Sequence, residues 1–370
     1  MKVKVLDLFS GAGGFSKGIE MAGYTITKHC FSEIDKHAIA NYLYNFKNSH
    51  YYGSVTDVRG KRGEVDIITF GSPCQDFSLA GKRKGMEGQR SSLIREAIRL
   101  IDEIRPSIFV WENVKGTFSS NNGADFWGII AAFANIGGYR LEWQLLNTSW
   151  FLPQNRERIY LVGHLAERSE RGVFPIGEED KINYKTKKIR DIYDCTRCLT
   201  TRYAQDDSTG SFIKIKSNTK KGYEEAKEGD SINFSVPSSK TRRGRVGKGK
   251  AQTLDTQCNQ GVIGYSRDSK GKILNYHKKN ISNTLHSSSG SGGNTDQYVY
   301  NNKALNDGLR IRRLTEIECE RLQGFPDDWT KYGIYDGKVK EIPKTQRYKL
   351  MGNAVTTKVV AEIFRRIKLK

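Results

Sequence analysis

The stretch "VKVLDLFSGAGGF", residues 3–15, decides the fold. Valine and leucine alternate with polar residues up to Leu8, and the run then breaks on Gly11, Gly13 and Gly14. A strand that ends in a glycine turn and continues as a helix aims backbone N–H groups and a helix N-terminus at one point, where a polar or anionic ligand can sit. The same pattern recurs downstream. "YTITKHCFS" (24–32), "VDIITFG" (65–71), "SIFVWENV" (107–114) and "RIYLVGHL" (158–165) are short β-rich runs bounded by glycine, proline or charge. Between the third and fourth, "SSLIREAIRLIDEIRP" places Leu93, Ile94, Ala97, Ile98, Ile101 and Ile104 at helical spacing, with Pro106 past the end. Strands alternating with helices imply an α/β, doubly wound, mostly parallel sheet, whose ligands gather at the carboxyl ends of the strands.

The 370 residues suffice for two domains, and no apolar run is long enough to span a bilayer. A soluble, cytoplasmic protein is therefore expected, its six scattered cysteines reduced. Cys195 and Cys198 form a CxxC without a second pair beside it, so ordinary thiols and no metal are expected. The net charge is +20, and residues 181–310 hold 25 Lys or Arg against 12 Asp or Glu. Serine, glycine and asparagine dominate there, strands are short, and "KTRRGRVGKGK" (240–250) offers cations on a glycine-rich backbone. That is the composition of a smaller β-rich domain that binds a polyanion, with nucleic acid the favoured partner. "CLTT" (198–201), "TLDT" (253–256) and "TLHS" (284–287) echo one another and read as hairpin edges.

The glycine turn is not a dinucleotide fingerprint, because Ser16 stands where the third glycine belongs; GK[ST] is also missing. Glu33 follows the second strand at the distance of a ribose-binding acid. Such a pair suits a nucleoside cofactor such as S-adenosylmethionine. A further signal is "FGSPCQDFS" (70–78), which sets Cys74 directly after a proline at a strand end. By residue type alone, Cys74 reads as a small core residue.

In chain order, "DLFSGAGGF", "GSPCQDFS", "ENV" (112–114), "QNRERIYLVG" (154–163), "RLTEIECERLQGFPDDW" and "GNAV" (352–355) resemble the DNA (cytosine-5)-methyltransferase family in its single-chain bacterial form. The resemblance covers roughly 1–165 and 309–366; the basic middle matches the family's target-recognition region only in place and texture. It implies that Cys74 is the nucleophile at cytosine C6, because a thiolate both attacks and leaves better than a serine oxygen. Glu112 would protonate N3. Arg156 and Arg158 alternate along a strand and would share one face, Arg158 serving the base, Arg156 the DNA backbone and the loop around Cys74. Asn113 would brace the site, and Gln154 belongs to the motif.

For S-adenosylmethionine, the resemblance assigns Phe9, Ser10, Gly11, Gly13, Gly14, Glu33, Ile34, Pro73, Leu93, Asn353, Ala354 and Val355, with either Ser54 or Asp57 at the adenine. The expected contacts to duplex DNA are Ser78 and Lys82 and, from the charge of the basic run alone, Arg242, Arg243, Arg245, Lys248 and Lys250. The target base must be flipped out of the stack, at a cost of a few kcal/mol. Residues 80–92 read as a lid over Cys74.

The expected organisation is a catalytic domain of residues 1–180 plus 347–370, a recognition domain of 181–330 and a connection at 331–346. The expected protein is a monomer that protects DNA from a cognate restriction endonuclease, encoded with it rather than bound to it. A tRNA-directed relative of the family would keep the chemistry, and an inactive DNA-binding module would keep only the fold. A nicotinamide oxidoreductase is set aside by Ser16.

Overall fold

The computed structural model describes residues 1–72, 91–177, 213–236, 239, 244–265 and 309–370. Seven strands form the central sheet: β1 (Lys2–Leu8), β2 (Thr25–Ser32), β3 (Ser49–Tyr51), β4 (Ile67–Gly71), β5 (Ile108–Val114), β6 (Tyr139–Asn147) and β7 (Glu157–Leu165). Their order is β3-β2-β1-β4-β5-β7-β6. All pairs are parallel except the two made by β7. The five expected strands form within two residues of their expected ends. β3 and β6 are additional, and the reversal of β7 brings its first residues beside the last residues of β5, where Val114 pairs with Arg158.

Alternation along the strands divides the core. Val3, Val5, Ile67, Ile108, Val110 and Val162 face one side, where α1 (Gly14–Met21) and the last helix of the chain supply Phe15, Ile19, Val359, Val360, Ile363 and Phe364. Leu6, Leu8, Ile68, Phe70, Phe109 and Trp111 face the other, against α3 (Ser91–Ile104) and α4 (Ala124–Ala134). α2 (Lys36–Asn45) lies between β2 and β3, its N-terminus capped by Asp35, which accepts from the N–H groups of His37 and Ala38. Burying a side chain such as Phe364 or Ile363 contributes about 1.5–3 kcal/mol. The sheet therefore depends on a helix some 340 residues downstream of α1, so the half of the molecule built on it is split in sequence.

Among the described residues of the basic segment, β-structure prevails. After the short β8 (Ser169–Glu170), β9 (Ile213–Lys216) and β10 (Tyr223–Ala226) form a hairpin. β11 (Ser231–Asn233), β12 (Val246–Gly247), β13 (Gln260–Tyr265) and β14 (Leu309–Arg313) make an antiparallel sheet in the order β12-β11-β13-β14. "TLDT" lies in the loop before β13 rather than on a strand edge. The other two echoes lie outside the described residues.

α5 (Glu316–Leu322) starts with a capping box: Thr315 Oγ1 accepts from the Glu318 N–H, and the Glu318 carboxylate accepts from the Thr315 N–H. A hairpin of β15 (Tyr332–Tyr335) and β16 (Lys338–Glu341) follows. The terminal segment holds two helices, α6 (Lys344–Asn353) and α7 (Thr357–Arg366), before β17 (Lys368–Leu369). Ala354, extended at φ −66° and ψ 148°, makes the break. A third core joins the two halves of the molecule. Ala251, Leu254, Cys258 and Val262 pack with Cys319, Phe325, Trp329 and Met351 against Ala12, Phe31 and Tyr42. The Trp329 indole N–H donates to the Ala12 carbonyl at 2.9 Å, and the Cys258 and Cys319 sulfurs lie 3.4 Å apart.

Candidate active site

The carboxyl ends of β1, β2, β4 and β5 converge on one edge of the sheet, and the reversed β7 adds its start. Glu112 is buried near the end of β5, in register with Gly71 on β4 and Tyr160 on β7. A methyl group on Gly71 would come within 3.2 Å of Glu112 Oε2, so glycine there leaves the carboxyl its room. Arg158 lies two residues from Tyr160 on the same strand, hence on the same face, and its Nε is 3.1 Å from Glu112 Oε1. That contact is poorly aligned, and Glu112 Oε1 has no hydrogen-bond partner among the described residues. The carboxyl is thus held by one guanidinium and keeps an oxygen to give. Burial, and then the Glu112 charge, push the Tyr160 phenol upward, so this neighbour stays neutral.

Arg156, expected on one face with Arg158, acts like it on the Tyr160 phenol. It stands one residue before β7 begins, where strand alternation does not orient it. Its buried guanidinium donates to the Gly352 and Ala354 carbonyls at 3.3 and 2.8 Å. The break between α6 and α7 turns Ala354 O toward it. Arg156 therefore ties the "QNRER" segment to "GNAV". Asn113 is a brace as expected: its Oδ1 accepts from the Val114 N–H and the Thr117 hydroxyl, fixing the chain after β5. Cys74 and Pro73 lie outside the described residues, as do Ser78, Lys82, Arg242 and Arg243.

The β1–α1 turn has the shape of a ligand cradle. Phe9, Gly11 and Gly13 all have positive φ, at 52°, 53° and 79°. At Gly14 a Cβ would meet Val355 Cγ2 at 2.6 Å, so the first residue of α1 needs glycine for the close approach of "GNAV". Glu33 Oε2 accepts from the Gly11 N–H at 2.9 Å, while Oε1 takes the N–H groups of Ile34 and Asp35. Oε2 keeps a lone pair for a hydroxyl. Ile34 is 78% exposed beside it, an apolar side chain with nothing over it. Ser10 Oγ is buried without a hydrogen-bond partner among the described residues. Ser54, Thr56 and Asp57 form one hydrogen-bonded chain after β3, so the two candidate adenine contacts share a single turn. Leu93 is half-buried on α3, Ala354 and Val355 are buried, and Asn353 is exposed.

A cleft of about 530 Å³ opens between the halves, lined by Val114, Lys115, Glu157 and Arg158 on one side and by Asn233, Gln252, Thr253 and Asp255 on the other. Its far wall was not legible as a site, although "TLDT" was noticed. Thr253 Oγ1 donates to the Asn155 carbonyl at 2.9 Å, and Ala251 bridges to Gln154, which joins the loop before β13 to the segment leading into β7.

Arg245 corrects the expectation of a DNA-facing cation. It is 2% exposed, and its guanidinium donates to the carbonyls of Asn233, Ser235 and Val236. Lys248 reaches the buried Asp230 carboxylate at 3.0 Å and the Glu225 carbonyl. Lys250 is exposed. Among the described residues there is no cluster of His, Cys, Asp or Glu suited to a metal and no helix long and apolar enough to cross a membrane. Cys195 and Cys198 lie outside the described residues.

The family model for C-5 cytosine-specific DNA methylases matches residues 3–369. The orphan methyltransferase M.SPRI of Bacillus phage SPR is 28% identical, covering 99% of this chain and 97% of that protein. The type II methyltransferase M.Bsp6I of Bacillus sp. strain RFL6 is 29% identical, covering 98% and 97%. Among solved structures, the S. pombe Dnmt2 methyltransferase superposes with a TM-score of 0.56 at 18% identity, covering 98% of this chain and 97% of its own. That likeness concerns the fold, a mostly parallel sheet with small β-sheets appended. The match runs almost from end to end, so the chain belongs to the C-5 cytosine-specific DNA methylases and is an enzyme that methylates cytosine in DNA at C5.

Proposed function

We propose that the enzyme flips one cytosine of a specific duplex sequence into the cleft and methylates it through a covalent Cys74–C6 adduct. The observation that carries this is the Glu112–Arg158 pair: a buried carboxyl with an unpartnered oxygen, held beside a cation on the cleft wall. The Cys74 thiolate attacks C6, which pushes electrons toward O2 and N3. Arg158 is placed to stabilise O2, and Glu112 to give its proton to N3, making C5 nucleophilic. After methyl transfer the C5 proton leaves to a base, the thiolate departs from C6, the N3 proton returns to Glu112, and aromaticity is restored. Arg156 acts at one remove, holding Gly352 and Ala354.

The residues of the turn fit S-adenosylmethionine, because an unpartnered Ser10 hydroxyl, a spare Glu33 lone pair and an uncovered Ile34 offer a polar end, a ribose partner and an apolar lid. When bound, it supplies an electrophilic methyl on a positively charged sulfur. Phe9–Gly14 and Val355 would hold its amino-acid end, Glu33 the ribose, and Ile34 with Ser54 or Asp57 the adenine. Residues 181–330 would read the DNA sequence and carry its phosphates. The type II relative supports a role in protecting DNA from a cognate endonuclease, whereas the orphan phage relative fits a methyltransferase that acts alone. Transfer of labelled methyl to duplex DNA, with trapping on DNA containing 5-fluorocytosine, tests the covalent step. No trapped complex, with turnover intact, would overturn it.

A further inference from the structure

Beneath the β1–α1 turn lies a buried polar cluster that the chemistry above does not use. Asp7, fully buried on β1, accepts from the Thr69 hydroxyl at 2.9 Å through Oδ1. Through Oδ2 it meets Ser16 Oγ at 3.0 Å and the Tyr42 hydroxyl at 3.2 Å. Ser16 and Tyr42 are 2.6 Å apart, and His29 Nε2 lies 2.9 Å from Ser16 and 2.7 Å from Tyr42. The cluster therefore binds together β1, β2, β4, α1 and α2. It grips both sides of the turn, since Asp7 leads into Phe9 and Ser16 lies in the helix that the turn opens.

Counting hydrogens shows what it can do. With Thr69 committed to Oδ1, five contacts remain among Asp7 Oδ2, Ser16, Tyr42 and His29. While Asp7 is ionised, at most three hydrogens can fill them: two hydroxyl hydrogens and one on Nε2 in the appropriate tautomer. The cluster has room for another proton, and of its members only His29 keeps any exposure, 8%.

We propose that this cluster holds an exchangeable buried proton and makes methyl-donor binding proton-linked, with Asp7 as a positioning residue for the turn. The proposal rests on the turn being the donor site. An ionised Asp7 draws Ser16 to β1 and sets a negative charge under a ligand whose sulfur is positive. A protonated Asp7 still reaches Ser16, more weakly, but sets no charge under the ligand. Burial raises the Asp7 carboxyl to about 7, against the lowering effect of its bonds to Thr69, Ser16 and Tyr42. The other titratable groups bearing on the cluster are His29 from β2, which burial lowers to about 4, and Tyr42 from α2, which burial and then the Asp7 charge raise. Glu20 on α1 acts on Tyr42 more weakly. β4 contributes only Thr69.

The test is calorimetric titration of the full chain with S-adenosylmethionine and with S-adenosylhomocysteine between about pH 6 and pH 8.5. The donor's own amino group titrates near 8, so the signal is the wild type minus Asp7→Asn. The expected difference is roughly fivefold tighter donor binding at the alkaline end, with a smaller gain for the neutral thioether. Ser16→Ala, which removes a bond to the carboxylate, should move the midpoint to higher pH, and it serves if Asp7→Asn does not fold. Identical pH profiles for wild type and variants overturn the proposal while leaving the donor site standing. Absence of binding by either ligand to the folded wild type overturns both.

Discussion

The start of β7 and the loop around residue 245 each present an arginine that reads as functional, yet they use their cations differently. Arg158 faces a carboxyl and the open cleft, with much of its hydrogen-bonding capacity free for a substrate. Arg245 faces inward and gives its guanidinium to carbonyls of its own domain. The difference is one of surroundings. At the sheet edge Arg158 gives one N–H to the Glu157 carbonyl and keeps others for chemistry. The small β-domain, with strands of two to six residues, must satisfy loose carbonyls with side chains. Net positive charge is thus a sound signal of a polyanion partner and a poor guide to which arginine meets it.

The largest effect that would break this contrast lies at the strand ends. Cys74→Ser should abolish methyl transfer to duplex DNA, whereas Cys195→Ser and Cys198→Ser should each keep most of it. Loss of activity in either control, or on chelation alone, would point to a metal site at the CxxC instead. Next, Glu112→Gln should slow methyl transfer by about 10²–10⁴-fold. Donor affinity, measured by titration, should stay within about twofold, because Glu112 is remote from the turn in function. Equal losses in both would make Glu112 a structural residue.

What could be read in advance follows from how local each feature is. Strand alternation and the glycine turn act within a few residues, so β1, β2, β4, β5 and β7 were visible. β6 was not, because Glu142 and Gln144 stand where an apolar face would be expected; they reach the ring of His164 and the backbone of Ile176. The break between α6 and α7 was hidden because its partner, Arg156, lies almost 200 residues away. Arg245 looked no different in sequence from Arg242 and Arg243. The Asp7 cluster was equally hidden, its members scattered over five elements; only Ser16 drew notice, for the glycine it replaces.

A stability measurement sharpens the comparison at intermediate magnitude. Removing Arg245 leaves buried carbonyls without a donor, so Arg245→Ala should lower unfolding stability by about 3 kcal/mol. Thr315→Ala, the loss of one cap, should cost about 1 kcal/mol. Chemical denaturation of the two variants orders them. If Arg245→Ala proves as stable as the wild type, its inward bonds contribute little and it returns to the pool of DNA-facing cations.

The smallest effect concerns the cations that remain candidates. Arg242, Arg243 and Lys250 share the basic run with Arg245, and Lys250 is exposed. A phosphate contact releases condensed counterions, so each one lost should flatten the log–log salt dependence of DNA binding by up to about 0.9. Arg242→Gln with Arg243→Gln should therefore weaken binding most at low salt and leave donor affinity alone, since the turn at Phe9–Gly14 belongs to the other half of the molecule. Arg245→Gln should leave the salt slope unchanged wherever the protein stays folded, because a guanidinium closed over by Asn233, Ser235 and Val236 displaces no counterion. Lys248→Gln should behave similarly, its charge being already matched by Asp230. If the slope instead falls equally for Arg242, Arg243 and Arg245, the loop opens on DNA and frees its buried cation. The phosphate-binding surface would then form only in the complex.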